Sequence, residues 1–211
     1  MASATTSPGK SIYLASRSPR RRELLTQIGV SFETLLLREA SPRGADIDET
    51  AFPDEVPADY VSRIARIKAE LSRKYLIRRG APLRLVLGAD TAVVSKGRIF
   101  GKPGDPAHAG EMLAALSGQT HQVLTAVAVA AEQETRMRIS ASTVRFRDIS
   151  EGEIDRYLAL DEANDKAGGY AIQGFAAIFI TEITGSYSGI MGLPLYETAQ
   201  LLQDCGMGML P

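Results

Sequence analysis

The sequence predicts an α/β fold in which helices pack on a mixed, twisted sheet and the chain forms two lobes. Apolar strand patterns are interspersed with helical patterns without strict alternation, and residues 11–37 are expected to run as strand, helix, strand. Two long strand patterns, residues 123–131 and 138–146, flank one polar turn. Because such a hairpin is antiparallel, the sheet cannot be wholly parallel.

The opening elements are short and clearly bounded. Residues 11–15 form an apolar strand, and residues 32–37 form a second strand after a helix. Ser18 is a good N-cap, Pro19 suits the first helical position, and Gly29 ends the helix. The segment from Arg38 to Pro57, after the second strand, is polar, acidic and rich in turn-forming residues, and we interpret it as a mobile loop.

A long helix begins near Pro57 and carries a lysine on its apolar face. Lys68 lies midway along this face, where its ammonium group either reaches water or meets an internal anion. The face consists of apolar residues at spacings of three and four: Val61, Ile64, Ala65, Leu71 and Tyr75.

The next strand brings a carboxylate into apolar surroundings. Residues 83–88 form a compact apolar strand, and Asp90 stands at its end. A carboxylate in such a position is costly unless it is paired, and strand ends are where open α/β sheets hold ligands. Residues 97–100 form a short strand, after which Lys102 precedes a helix that Asp105 caps.

The C-terminal third contains a glycine-rich segment between regular elements. Residues 168–174 surround Gln173 with glycines, which indicates a close approach of the backbone to another part of the molecule. Residues 175–183 are predicted to form another strand, and Pro194 begins the last helix. We expect a flexible tail over residues 1–10 and a single domain over residues 11–207.

Composition narrows the classes of function. Twenty-four basic and twenty-five acidic side chains give a net charge of −1, which excludes a global field able to hold a nucleic-acid polymer. Cys205 is the single cysteine, so an internal disulfide and a cysteine-based metal cluster are excluded. No apolar stretch reaches the roughly 18 residues that span a membrane, and residues 1–10 lack the apolar part of a signal peptide. We therefore expect a cytoplasmic protein that does not bind membranes.

Three consecutive arginines at a helix N-terminus indicate an anion site. The free N–H groups and the helix dipole already favour negative charge there, so added cations are unfavourable unless an anion binds. Arginine forks beside a helix N-terminus suit phosphate oxygens. We assign this role to Arg20 and Arg21 and expect Arg22 to point into water. Together with Lys68, Lys102, Asp90 and an acidic loop around Glu49, they suit phosphoryl transfer with a bound divalent cation.

These residues lie in blocks that resemble the Maf (septum formation inhibitor) nucleotide pyrophosphatases, which are related in fold to inosine triphosphate pyrophosphatases. The resemblance covers nearly the whole chain from Ile12 to Leu202. Its blocks, in order along the chain, are LASRSPRRRELL, ARIKAE, LGADTAVV, GKP, LSGQTHQVLTAV, DKAGGYAIQG and GLPLYET.

The resemblance implies an activity and a role for each unusual residue. The implied reaction is hydrolysis of a nucleoside triphosphate between the α and β phosphates with Mg²⁺ or Mn²⁺, which releases the monophosphate and pyrophosphate. Asp90 is similar to the catalytic acid–base residue of the family, and Glu49 is similar to a carboxylate close to the metal. Asp90 and Glu49 are therefore the two expected metal ligands. The phosphate-handling residues implied are Ser16, Arg21, Lys68 and Lys102. The residues that resemble the specificity positions of the dTTP and UTP branch are Arg20, Thr91 and Gln173.

Two alternatives remain open from the sequence. The substrate could be a purine nucleotide, either 7-methyl-GTP or ITP, although the Gln173 amide can both donate to and accept from the edge of uracil or thymine. The chain could instead be a nucleotide-binding regulator of septum formation. The resemblance also implies a homodimer. Whether Asp90 acts as a base or as a metal ligand cannot be separated from sequence.

Overall fold

The computed structural model describes residues 11–36 and 47–209. Within these ranges, seven strands form one sheet in the order β2-β1-β3-β5-β6-β7, and β4 pairs with β3 outside that path. The predicted tail over residues 1–10 and part of the predicted loop, residues 38–46, lie outside the described residues. The strands are β1 Ser11–Leu14, β2 Ser31–Thr34, β3 Val86–Ser95, β4 Arg98–Phe100, β5 Thr120–Ala130, β6 Thr135–Phe146 and β7 Ile180–Thr184.

The sheet is mixed, as the sequence predicts. Strand β1 runs parallel to both β2 and β3, whereas β3, β5, β6 and β7 pair antiparallel in succession. Helices accompany the sheet and follow the predicted order, except that the short fifth helix was not expected. They are α1 Pro19–Gln27, α2 Pro57–Arg78, α3 Pro106–Leu116, α4 Glu151–Leu158, α5 Tyr187–Ile190 and α6 Leu195–Asp204.

The predicted helix caps are confirmed. The Ser18 hydroxyl accepts a hydrogen bond from the Arg21 N–H, and the Asp105 carboxylate accepts one from the His108 N–H. At the start of α4, Ser150 and Glu153 form a reciprocal capping box. Each cap satisfies N–H groups that have no partner inside the helix, which fixes where these helices begin.

Strand β3 is longer than predicted and passes through Asp90. We expected a strand over residues 83–88 with Asp90 at its end, but hydrogen bonding to β5 continues from Val86 to Val94. The antiparallel partner provides a ladder on both sides of Asp90, so the apolar run does not mark the end of the strand. Leu83 lies before the strand and is exposed. Asp90 is therefore a mid-strand carboxylate.

Two further expectations were wrong in part. Tyr75 is exposed, because the buried row of α2 continues through Ala69, Ser72 and Leu76 while the row that ends at Tyr75 turns away from the sheet. Residues 175–179 form a 3₁₀-helix rather than a strand, and β7 begins only at Ile180. This turn places Phe179 in the core.

The core of the described residues has three buried clusters. Helix α2 packs on one face of the sheet through Val61, Ile64 and Ala65. Helices α1 and α6 pack around Leu87 on β3. The third cluster belongs to α3, α4 and the far end of the β5–β6 hairpin and includes Phe146. Within the described ranges, no helix is long and apolar enough to cross a membrane.

Candidate active site

A cleft of about 850 Å³ opens where the β1–α1 turn faces the glycine-rich segment. It lies beside the point at which β1 stops pairing with β3, after Leu14 and Leu87. A ligand is commonly held near the carboxyl ends of parallel strands in open α/β sheets. All nine residues selected from the sequence line this cleft: Ser16, Arg20, Arg21, Glu49, Lys68, Asp90, Thr91, Lys102 and Gln173.

Arg21, in the first turn of α1, is oriented by three contacts. Arg21 Nε donates to the Gly192 carbonyl oxygen at 2.7 Å, Nη1 donates to Ser16 Oγ at 3.2 Å, and Nη2 donates to Thr91 Oγ1 at 3.2 Å. Burial lowers the pKa of Arg21, although Asp90 and Glu49 oppose this change. The guanidinium group is therefore fixed in orientation at the floor of the cleft.

The two neighbouring arginines have different environments. Arg20 is partly buried, and burial lowers its pKa while Glu23 and Glu162 act in the opposite direction. Arg22 is exposed, as predicted. The helix N-terminus therefore presents Arg20 and Arg21 to the cleft, and Arg22 does not line it.

Lys68 joins two carboxylates at the centre of the cleft. Its Nζ lies 2.7 Å from Asp90 Oδ1 and 2.9 Å from Glu49 Oε1. The Asp90 side chain is 10% exposed and the Glu49 side chain 36% exposed. The lysine on the apolar face of α2 thus meets an internal anion and does not extend into water.

The two carboxylates have pKa values moved in opposite directions. Burial raises the pKa of Asp90, even though Lys68 and Arg21 favour its charged form; the charge on Glu49 adds to the rise. Burial also disfavours ionised Glu49, but Lys68, Lys102 and Arg21 outweigh it and lower the pKa of Glu49. One carboxylate is therefore held ionised, while the other binds a proton more readily than an ordinary aspartate.

A glycine on β3 allows this pairing. A Cβ atom at Gly88 would lie 2.6 Å from the Ala65 carbonyl oxygen and 2.7 Å from the Ala69 nitrogen. Only a residue without a side chain lets α2 approach the strand so closely, and this approach brings Lys68 to Asp90. Gly88 was not selected from the sequence, although a glycine inside an apolar strand pattern is the usual indication of such an approach.

The hydroxyl groups beside Arg21 form a chain across the sheet. Thr91 and Thr125 are opposite each other on β3 and β5, and their Oγ1 atoms are 3.0 Å apart. Thr125 Oγ1 also donates to the Gly189 carbonyl oxygen at 2.8 Å. Thr125 is fully buried and was not selected from the sequence, where a threonine in an apolar strand resembles any other core residue. Its function here is to hold Thr91.

The glycine-rich segment forms the opposite wall. Gln173 is exposed at the cleft, next to Gly174. The Glu162 carboxylate accepts hydrogen bonds from the Phe175 N–H and the Tyr157 hydroxyl, each at 3.0 Å, and a Cβ atom at Gly174 would overlap it. Glu162 thus ties this wall to α4.

A histidine and tyrosine pair supports the same wall from inside. Tyr170 lines the cleft and its hydroxyl is 2.8 Å from His121 Nε2. Burial lowers the pKa of His121 to about 4, so the ring is neutral at physiological pH. His121 has a structural position, as expected.

Lys102 is exposed on the rim of the cleft.

The carboxylates suit a hard divalent cation. Asp90 and Glu49 offer oxygen ligands that already converge on one positive group, the Lys68 ammonium. Mg²⁺ and Mn²⁺ bind through carboxylate oxygens and retain water, with further oxygens coming from a substrate phosphate. No set of three or more His, Cys, Asp or Glu residues able to hold a metal occurs in the described ranges. The donor set therefore fits a cation that two carboxylates and a phosphate share.

Comparison with known proteins identifies the family. The model of the family described as "Maf-like protein" matches residues 11–205. The chain belongs to this family. The resemblance seen in the sequence blocks is therefore confirmed.

Three relatives share most of their length with this chain, and all three are named dTTP/UTP pyrophosphatase. The protein of Nitrosospira multiformis is 66% identical and covers 92% of this chain and 93% of its own. Those of Nitrosomonas europaea and Aromatoleum aromaticum are 59% and 56% identical, with coverage of 97% and 99%, and of 92% and 95%. Among solved structures, the Ham1 protein of Staphylococcus aureus aligns with a TM-score of 0.44 and 16% identity over 66% of this chain and 73% of its own.

Proposed function

We propose that this protein is a nucleoside triphosphate pyrophosphatase that hydrolyses dTTP and UTP to the monophosphate and pyrophosphate. Removal of such nucleotides, including modified pyrimidine nucleotides, would clean the nucleotide pool. The observation that carries the proposal is the convergence of Arg21, Lys68, Asp90 and Glu49 in one cleft beside a helix N-terminus. The names of the relatives supply the substrate class.

The phosphate chain is the part of the substrate that the cations suit. Arg20, Arg21 and the N-terminus of α1 would bind its oxygens, because forked N–H groups and the helix dipole both favour phosphate. Lys68 and Lys102 would offset the charge that develops on the departing pyrophosphate. Stabilising this developing charge in a partly buried cleft is the main contribution that a protein can make to phosphoryl transfer.

Asp90 is the proposed acid–base residue. Water attacks the α phosphorus, the bond to the β phosphate breaks, and the proton of the attacking water passes to Asp90 Oδ. A free aspartate, with a pKa of about 3.9, is a weak base at neutral pH. Burial raises the pKa of Asp90, which improves its match to this task.

Asp90 and Glu49 are also the proposed ligands of Mg²⁺ or Mn²⁺. A divalent cation there would neutralise phosphate oxygens and lower the pKa of water. The proposal is supported by the neighbouring cations Lys68, Lys102 and Arg21, which lower the pKa of Glu49 and so favour its ionised form as an oxygen ligand.

The base would be recognised on the opposite wall. The Gln173 amide can donate to a carbonyl oxygen of uracil or thymine and accept from its N3–H. Ser16, Arg20 and Thr91 also line the cleft and complete, with Gln173, the proposed substrate-binding set.

One panel of substrates tests the activity. Pyrophosphate release from dTTP, UTP, 7-methyl-GTP and ITP is measured in parallel with Mg²⁺ or Mn²⁺. We expect dTTP and UTP to be preferred. A purine preference would overturn the assignment of Gln173. Stable binding of dTTP without product would instead support a nucleotide-binding regulator of septum formation.

The assembly and location complete the proposal. We propose a homodimer, which rests on the family resemblance and is tested by sedimentation equilibrium. A cytoplasmic location is proposed because free nucleoside triphosphates are found there, and fractionation of cells that express the tagged protein tests it.

A further inference from the structure

Arg63 forms a network with the segment that carries Glu49. We call residues 48–55 the Glu49 segment. Arg63 Nε and Nη2 lie 2.7 Å from the two carboxylate oxygens of Glu55, and Nη2 donates to the Thr50 carbonyl oxygen at 3.0 Å. The guanidinium carbon lies 4.0 Å from the centre of the Phe52 ring. One side chain of α2 therefore contacts three positions of the segment.

Other bonds connect the same segment to itself and to α2. The Tyr60 hydroxyl donates to the Glu49 carbonyl oxygen at 3.0 Å. The Phe52 N–H donates to the Glu55 carboxylate at 3.0 Å, and the Thr50 N–H donates to Asp48 at 2.9 Å. The segment has neither helix nor strand, so these side-chain bonds hold its backbone in the way that a ladder would in regular structure.

The ion pair at the centre of the network is partly buried. The Arg63 side chain is 20% exposed and the Glu55 side chain 9% exposed. A bidentate pair that water reaches poorly is stronger and more directional than an exposed pair. The contact raises the pKa of Arg63 and lowers that of Glu55. Both groups therefore stay charged at physiological pH.

The network ends at the candidate metal site. Arg63 and Lys68 belong to the same helix, and Glu49 contacts Lys68 at 2.9 Å. Helix α2 thus contacts the Glu49 segment through Arg63 and forms an ion pair with the Glu49 carboxylate through Lys68. If the segment loosened, the Glu49 carboxylate would move away from Asp90. Asp90 would then remain as the single carboxylate of the proposed pair at the site.

We propose that Arg63 is a positioning residue that fixes the Glu49 segment on α2 and so keeps the Glu49 carboxylate beside Asp90 for binding a divalent cation. The proposal deepens the proposed function and relies on it for the use of the cation. Arg63 itself does not line the cleft.

Metal binding by the free protein tests the proposal without any turnover. Mn²⁺ binding to the wild type, Arg63→Ala and Arg63→Lys is measured by electron paramagnetic resonance in the absence of nucleotide. Loss of a group that orients a metal ligand typically weakens metal binding by roughly 10- to 100-fold. We expect a loss in this range for Arg63→Ala and a smaller one for Arg63→Lys, which keeps the charge but not the fork.

Two comparisons separate positioning from general damage. Arg66→Ala removes an exposed arginine from the same helix and should bind Mn²⁺ like the wild type. Glu55→Ala and the double variant with Arg63→Ala should each resemble Arg63→Ala, because each of these changes removes the Arg63–Glu55 ion pair. Amide hydrogen exchange should become faster in the Glu49 segment of these variants while α2 remains protected.

Kinetics give a second readout. In the Arg63 variants, the Mn²⁺ concentration for half-maximal hydrolysis of dTTP should rise, while kcat at saturating metal stays within about threefold of the wild type. Wild-type affinity for Mn²⁺ in Arg63→Lys and Glu55→Ala would overturn the proposal, as would a wild type that binds no Mn²⁺. Arg63-dependent Mn²⁺ binding in a wild type that hydrolyses no nucleotide would support the positioning role and reject the proposed function.

Discussion

Replacing Asp90 by asparagine should abolish most activity without destabilising the protein at neutral pH. Two unit charges 2.7 Å apart attract each other by about 6 kcal/mol at an effective dielectric constant of about 20. Burial nevertheless raises the pKa of Asp90, so desolvation of the carboxylate outweighs the attraction of Lys68 and Arg21. Asparagine has nearly the same shape as aspartate. It removes both the desolvation cost of the carboxylate and its attraction to Lys68 and Arg21.

The pH dependence follows from the direction of that pKa change. The folded-state pKa of Asp90 is above its unfolded value, so Asp90 contributes stability at low pH that is lost as the pH rises through the folded-state pKa. The asparagine of the variant cannot titrate. The melting temperatures of the two proteins should therefore agree in acid, where Asp90 is protonated, and Asp90→Asn should be the more stable protein at neutral pH.

The kinetic effect should be large. Loss of a general acid–base group typically costs at least about 10²-fold in turnover, equivalent to about 2.7 kcal/mol of transition-state stabilisation. Pyrophosphate release from dTTP gives kcat and KM, circular dichroism gives the melting temperature, and Asp155→Asn on the exposed face of α4 is the control. Turnover within about tenfold of the wild type would remove Asp90 from the mechanism. A lower melting temperature at neutral pH would refute the electrostatic reasoning.

Three further changes test other contacts. Arg21→Lys keeps the charge but loses the fork that holds the Gly192 carbonyl, so kcat/KM for dTTP should fall by about 10- to 100-fold in initial-rate assays; an unchanged value would contradict this role. Gly174→Ala should lower the free energy of unfolding, measured in urea, by about 1–3 kcal/mol because the new methyl group overlaps the Glu162 carboxylate. If Gly174→Ala costs as much stability in a Glu162→Ala background, the clash is not the cause. Gln173→Ala should reduce the kcat/KM ratio of dTTP to ITP by about tenfold or more, whereas an equal loss for both nucleotides would argue against base recognition.

The fold was predictable where local chemistry determines it. The Ser18 and Asp105 caps and the β5–β6 hairpin are confirmed because capping and turn residues act within a few positions of themselves. The extent of β3 was not predictable in the same way. Asp90 interrupts the apolar run, but the ladder that β5 provides continues past it, and this partner is distant in sequence.

The site was predictable as a set of residue types but not as an arrangement. Cations on a helix N-terminus and a lysine on an apolar face indicate an anion wherever they occur, so Arg21 and Lys68 could be selected. Thr125 and Arg63 could not, because each acts by holding another residue and neither departs from its local pattern. Supporting residues become recognisable only when the long-range contacts are known.

Residues from two different parts of the chain line opposite walls of one cleft. Arg21, Lys68 and Asp90 come from the first three strands and their helices, whereas Gln173 comes from a C-terminal wall that Glu162 ties to α4. Different core clusters support the two walls, so a change on one side need not disturb the other. Under the proposed function, substitution of Arg21, Lys68 or Asp90 should lower turnover of every triphosphate equally, while substitution of Gln173 should change which base is accepted. A cleft with this division can alter its choice of nucleotide without rebuilding its chemistry, since the side chains that would handle the phosphates and the side chain that would recognise the base come from different elements.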